Sequence, residues 1–258
     1  MGPGKADAVR VIAAMWKREV AACFMAPLAY AVWFFFLLLM GFQFHALLQV
    51  LAAGPVHHGI MRLLMGESPF FWLAMWMLVP VITMRAFAEE RRSGTLETLL
   101  TAPVTEWQVV GAKYAAALTF YAICWLPTLG YTWLLARYSP EAVLVDGGAL
   151  GATYLGIGLL GAFFVAVGLL ASAATRHQAV AAMITLVVLG IWFLAGFIPY
   201  YARAGGVQAV GRYMSSVLHM MEFSRGVIDS RPIVLYLTGS ALALFVTVKL
   251  LEGRKWSG

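Results

Sequence analysis

Residues 27–44 read PLAYAVWFFFLLLMGFQF, and the interval around them carries no Asp, Glu, Lys or Arg from Val20 to Met61. A run this long and apolar reads as a membrane-spanning helix, which needs about 20 mostly apolar residues to cross the hydrocarbon layer. Pro27 suits its first turn, where the missing N–H has no partner to lose. The whole chain agrees, with 62% hydrophobic residues, 12% charged ones and a mean hydropathy of +0.83, against roughly 25% charged residues in an average soluble domain. The net charge of +6 is not gathered in one patch. Lys and Arg fall at the ends of apolar runs, which suits a membrane surface and not nucleic acid. Cys23 and Cys124 sit in or beside apolar runs, with no CxxC and no His at ligand spacing, so neither a disulfide framework nor a zinc site is indicated.

Working outward, the same reading finds five more spans: Ser68–Met84, Tyr114–Ala136, Gly147–Thr175, Gln178–Ala202 and Pro232–Val248. The second is short for a ~30 Å core, and Arg85 is expected to snorkel and extend it. Pro80 and Pro127 mark kinks. Gly147 with Gly151, and Gly158 with Ala162 and Ala166, form four-spaced rows of small residues that let helices approach; packing within the chain is preferred over an oligomer contact. No ionisable residue lies near the middle of a run, a placement that costs ~2.5–3.5 kcal/mol, so a proton-coupled carrier is disfavoured. At the N-terminus, which lacks the pattern of a cleavable signal peptide, Val9, Ile12, Ala13, Trp16 and Val20 form a stripe with Arg10, Lys17 and Arg18 largely off it. This predicts an amphipathic helix at the membrane surface. Between Tyr200 and Arg231 the chain is too polar to span, yet Val207, Val210, Met214, Val217, Leu218 and Met221 predict one or two short helices at the outer face. With the N-terminus cytoplasmic, twelve Lys and Arg residues fall inside and six outside, which places both termini in the cytoplasm.

One polar island interrupts the runs: AEERRSGTLETLLTAPVTEWQVVGAKY, residues 88–114. It lies on the cytoplasmic side of that topology. Ser93 or Gly94 can cap a helix, which puts Glu97 in its first turn, where a carboxylate meets free N–H groups. Leu96, Leu99 and Leu100 share a face, Pro103 ends the helix, and Thr105 with Gln108 makes a capping box for the next one. Mixed charge from Glu89, Glu90, Arg91 and Arg92 beside a leucine ridge suits a protein partner, since an interfacial anchor is rich in Lys and Arg alone.

The same residues carry a family resemblance. Glu90, Gly94 to Glu97, Leu99, Leu100, Pro103, Gly111 and Lys113 resemble the signature of ABC transporter permeases of the type-2 exporter class (ABC-2 type). The segment HMMEFSRGVIDSRPIVLYL, residues 219–237, resembles the subgroup of gliding-motility and nitrous-oxide-reductase-maturation permeases. The resemblance implies an all-α integral membrane protein of six transmembrane helices, with an N-terminal elbow helix, a cytoplasmic coupling helix and short outer helices before the last span. The corresponding domains are an N-terminal segment with its interfacial helix (1–22), a permease domain (23–251, coupling helix at 93–103, outer helices at 205–230) and a cytoplasmic tail (252–258). It also implies a non-catalytic subunit of an exporter in the cytoplasmic membrane. Its partners would be a cytoplasmic ABC ATPase, a second permease chain in a homo- or heterodimer, and membrane lipid. Glu89, Glu90, Arg91, Gly94, Thr95, Leu96, Glu97, Leu99, Leu100 and Pro103 would dock the ATPase, and ATP and Mg would sit on that partner, with no cofactor on this chain. The residues agree in one respect: a phosphate loop needs G-x-x-x-x-G-K-[ST], and here Gly4-Lys5 is followed by Ala6.

Other readings stand beside it. An ATP-driven transmission or maturation complex, of gliding type or for copper-enzyme assembly, needs no bulk export. His57, His58 and Met61 have the imidazole and thioether chemistry that suits copper, although thirteen methionines make such proximity common by chance. An intramembrane enzyme is disfavoured because no acid, base or nucleophile cluster lies inside the spans.

Overall fold

The computed structural model describes residues 5–54, 59–95, 104–138, 146–201 and 205–255. Among them there is no strand, and six helices are long and apolar enough to cross a membrane: Pro27–Ala52, Pro69–Ser93, Glu106–Tyr138, Gly147–Ala174, Gln178–Tyr201 and Ser230–Gly253. The chain is an all-α, multi-pass membrane protein. In finer detail the helices are α1 (Lys5–Met25), α2 (Pro27–Ala52), α3 (Pro69–Thr83), α4 (Ala88–Ser93), α5 (Glu106–Trp125), α6 (Leu129–Tyr138), α7 (Gly147–Ala174), α8 (Gln178–Ala195), α9 (Ile198–Tyr201), α10 (Gly206–Met214), α11 (Ser216–Phe223) and α12 (Ser230–Lys255).

Helix starts follow local chemistry. Ala26 is extended and Pro27 opens α2. Ser68 Oγ accepts from the Phe71 N–H at 3.2 Å ahead of Pro69, Asp146 accepts from the Gly148 N–H at 2.8 Å to start α7, and Thr105 and Gln108 form the full capping box of α5. Pro127 breaks the third span at a 3₁₀ turn, Leu126–Thr128, where Thr128 Oγ1 donates to the Trp125 carbonyl at 2.6 Å. Pro80 is accommodated inside α3, and the chain turns four residues later, over 84–87.

The second and third spans outrun their charge-free intervals. Counting stops at the first ionisable residue, whereas the helices continue through Arg85, Glu89, Glu90, Arg91 and Lys113, whose charges find partners. Around them the bundle closes on α7, which packs against α3, α5, α8, α11 and α12. Its glycines decide how closely. A side chain at Gly156 would meet Phe223 at 2.7 Å; Gly161 lies against Tyr121 and Gly168 against Thr83. The rows expected to pack differ from these: Gly147, Gly151 and Gly158 face open space, and of the second row only Ala166 is fully buried. A spacing of four picks out a face but does not say which neighbour stands opposite it.

Two helices complete the ends. At the end opposite α4, α11 packs on α7 and on a π-helical turn at Arg62–Gly66, and His219 Nδ1 lies 2.9 Å from Tyr236 Oη of α12. At the α4 end, α1 lies along α5: Trp16 Nε1 donates to Thr119 Oγ1 at 3.0 Å, and the Phe24 and Phe120 rings meet edge-on at 5.2 Å. Glu19 falls on this packed face.

Candidate functional site

The polar island is anchored at its beginning by a short helix whose Glu90 and Arg91 are held against the bundle. α4 carries Glu89 and Glu90 in its first turn and Arg91 and Arg92 in its last, the order favoured by the helix dipole. Gly94 ends it in the left-handed conformation, φ 73°. Ser93 Oγ donates back to the Glu89 and Glu90 carbonyls at 3.0 and 3.2 Å. Ser93 and Gly94 therefore close α4, a C-terminal role fitted to glycine; the helix they were expected to start falls beyond Thr95, outside the described residues.

Each charge of α4 but one has a specific partner. Glu89 receives a two-pronged bond from Arg85, Nε at 2.8 Å and Nη2 at 3.0 Å. Arg91 Nη1 donates to the Ala173 carbonyl at the end of α7 at 2.9 Å. Glu90 accepts from Lys113 Nζ at 2.8 Å, and the same ammonium bonds Glu19 at 3.1 Å. Arg92 is exposed. Thr95 hydroxyl stands 2.8 Å from that of Ser93.

Lys113 is the centre of this arrangement. Its residue is 3% exposed, its ammonium lies 5.4 Å from the centroid of the Phe87 ring, and two carboxylates from different elements share it. A buried charge is tolerated only when paired and hydrogen-bonded; here one cation ties α1, α4 and α5 together. Burial by itself would raise the Glu19 carboxyl, but Lys113 and Arg18 hold it below the usual carboxylate range. The turn between α3 and α4 is supported in a different way. Ser172 Oγ of α7 accepts from the Phe87 and Ala88 N–H groups at 3.0 and 3.1 Å and donates to the Met84 carbonyl at 3.1 Å.

The structure thus brings Glu89, Glu90 and Arg91 together with Arg85, Lys113, Glu19 and Ala173. Leu96, Glu97, Leu99, Leu100 and Pro103 lie outside the described residues, as do His57 and His58; Met61 is buried. Among the described residues no group of three or more His, Cys, Asp or Glu side chains could hold a metal ion. Glu19 and Ser172 were not singled out from sequence. A signal did exist for the first: Lys113 sits two turns inside an apolar helix, where a lone cation demands a counter-ion.

The family model described as ABC-2 family transporter protein matches residues 56–209, more than half of the chain, from before the second span to the middle of α10. No curated protein matches the sequence.

Proposed function

The chain belongs to the ABC-2 family of transporter proteins, and from that premise we propose that it couples ATP hydrolysis on a separate ATPase subunit to export across the cytoplasmic membrane. Membership makes it a membrane permease of an ABC system; such permeases are typically non-catalytic transmembrane subunits that associate with an ABC ATPase in a dimeric arrangement. The finer reading adds the direction, the coupling and the docking residues. ATP and Mg bind the partner, whose closure pushes on the leucines of residues 96–100, while the basic residues place the insert and both termini in the cytoplasm. The observation that supports coupling most strongly is the buried Lys113, because it fastens α4, at the root of the insert, to both α1 and α5. A push on the insert then has a rigid path into the spans. Assignment to the gliding-motility or nitrous-oxide-reductase-maturation subgroup rests on residues 219–237 alone, which lie beyond the matched region.

Replacing Leu99 or Leu100 with Asp in the full chain puts a charge on the apolar ridge. The expected outcome is loss of ATPase copurification and of permease-stimulated ATP turnover, with the permease still inserted in the membrane. Undiminished copurification and turnover would overturn the docking role.

A further inference from the structure

At the α4 end of the bundle a cavity of about 910 Å³ lies between the second half of α1, the start of α2, the end of α3 with α4, and the first half of α5. Its size falls in the ~300–1,000 Å³ range of small-ligand sites, and its two ends differ in chemistry. One end is lined by Arg18, Arg85 and Lys113 facing Glu19, Glu89 and Glu90, three cations against three anions. The other is apolar, lined by Pro27, Val32, Val81, Ile82 and Phe120. Met25 and Leu28 also line it and are 81% and 40% exposed, so the apolar end opens sideways, toward the acyl chains of the surrounding leaflet.

The charged end selects a headgroup. Its balanced charge gives no net pull on a simple anion or cation. Lys113 is shared between two carboxylates, whereas Arg18 and Arg85 each use only part of a five-donor guanidinium on Glu19 and Glu89. Glu90 accepts from Lys113 through Oε1, and its Oε2 is buried with no partner among the described residues. A buried acceptor without a donor is an exception that calls for an explanation. The last torsion of a Glu side chain is soft, so a small rotation presents this oxygen to the cavity. What fits is an N–H cation beside an anionic group on a hydrocarbon tail.

We propose that this cavity binds a phospholipid whose headgroup bears a primary ammonium, as in phosphatidylethanolamine. The ammonium donates to Glu90 Oε2, the phosphate accepts from Arg18 and Arg85, and an acyl chain runs past Val81 and Ile82 into the bilayer. A choline headgroup offers no N–H to the orphan oxygen, and phosphatidylglycerol offers no cation. The assignment goes beyond the permease reading and holds whether or not ATP drives the chain.

Two cysteines make the test internal. Cys23 lines the cavity, while Cys124 is fully buried elsewhere in the bundle and reports on folding. Purified full-length protein in detergent micelles is titrated with dioleoyl phosphatidylethanolamine, phosphatidylcholine or phosphatidylglycerol, and N-ethylmaleimide labelling of each cysteine is followed by mass spectrometry. Phosphatidylethanolamine alone is expected to slow Cys23 labelling, by about tenfold at ten times its dissociation constant, with Cys124 unlabelled throughout. Glu90→Gln is expected to raise the protecting concentration about tenfold or more, as loss of a charge-assisted hydrogen bond does. Ala22→Trp, placed on an exposed position of the cavity wall, blocks the cavity and abolishes the lipid effect. Should Glu90→Gln expose Cys124, the Ala22→Trp variant decides. Equal protection by all three lipids, protection by none, or a lipid effect that survives Ala22→Trp would overturn the assignment.

Discussion

Lys113 shows how much one residue can hold. Its ammonium is the meeting point of Glu19, 94 residues away in sequence, and Glu90, 23 residues away. Removing one partner of a buried ion pair costs about 3–5 kcal/mol, because the other charge is left behind without compensation. Glu19 and Glu90 side chains are 17% and 21% exposed, so water recovers part of this. Lys113→Met is therefore expected to destabilise the detergent-solubilised protein by about 3 kcal/mol, read as a lowered midpoint in thermal unfolding. The variant should also release α1, visible as faster proteolysis near Arg18. The lysine was legible in the sequence; its partners were not. Periodicity assigns a residue to a face, but Glu19 and Lys113 meet only because α1 doubles back along α5, and nothing in either segment alone encodes that contact.

Among the helices, α7 sets the spacing of the bundle. Where its backbone approaches a neighbour there is no room for a methyl group: Gly161 touches Tyr121 and Gly168 touches Thr83, whose hydroxyl is already bonded to the Val79 carbonyl. Overpacking a filled core costs about 1–3 kcal/mol. Gly161→Ala and Gly168→Ala are expected to lose that much in thermal or denaturant unfolding. Gly158→Ala, which faces open space, is expected to be neutral or to gain up to about 1 kcal/mol from helix propensity. The six spans were readable because charge-free intervals of this length have few alternatives, and the capping box at Thr105 was readable because it is local. The close-approach glycines were not, since α7 is apolar on all sides and a continuously apolar helix has no stripe that points inward.

For the whole molecule, the two ends of the bundle differ in what acid would do to them. At the end opposite α4, burial pushes His219 down to about 4 from 6.5, Asp229 opposing weakly, while its Nδ1 faces Tyr236 Oη; Tyr236 and Trp192 both donate to Ser216 Oγ, joining α8, α11 and α12. A histidine whose folded pKa is depressed binds its proton more readily when unfolded, so stability is complete above about 6.5 and falls as pH drops toward 4. The loss is about 3 kcal/mol. Unfolding midpoints measured from neutral pH down to about 4 should fall across this window in the parent protein and far less in His219→Asn, which keeps a polar group facing Tyr236. A parallel fall in both would assign the acid loss elsewhere. At the α4 end, Glu19 is lowered as well, by its cations despite burial, so its contribution survives down to the ordinary carboxylate range and is lost only as pH falls through its lowered pKa.

The Ser172 hydroxyl has a mechanical consequence. The turn over residues 84–87 frees N–H and carbonyl groups that would otherwise continue the α3 ladder, and Ser172 takes up those of Phe87, Ala88 and Met84, while Ala173 receives Arg91. The stub α4 is therefore fastened to the C-terminal end of α7 as well as, through Lys113, to α1 and α5. A torque applied beyond Gly94 would be shared between the fourth span, at its terminus, and the third, through Lys113. α7 is the most buried of the six spans, so a twist taken up at its end would be carried along its packed face to the opposite end of the bundle, where Gly156 meets Phe223 of α11.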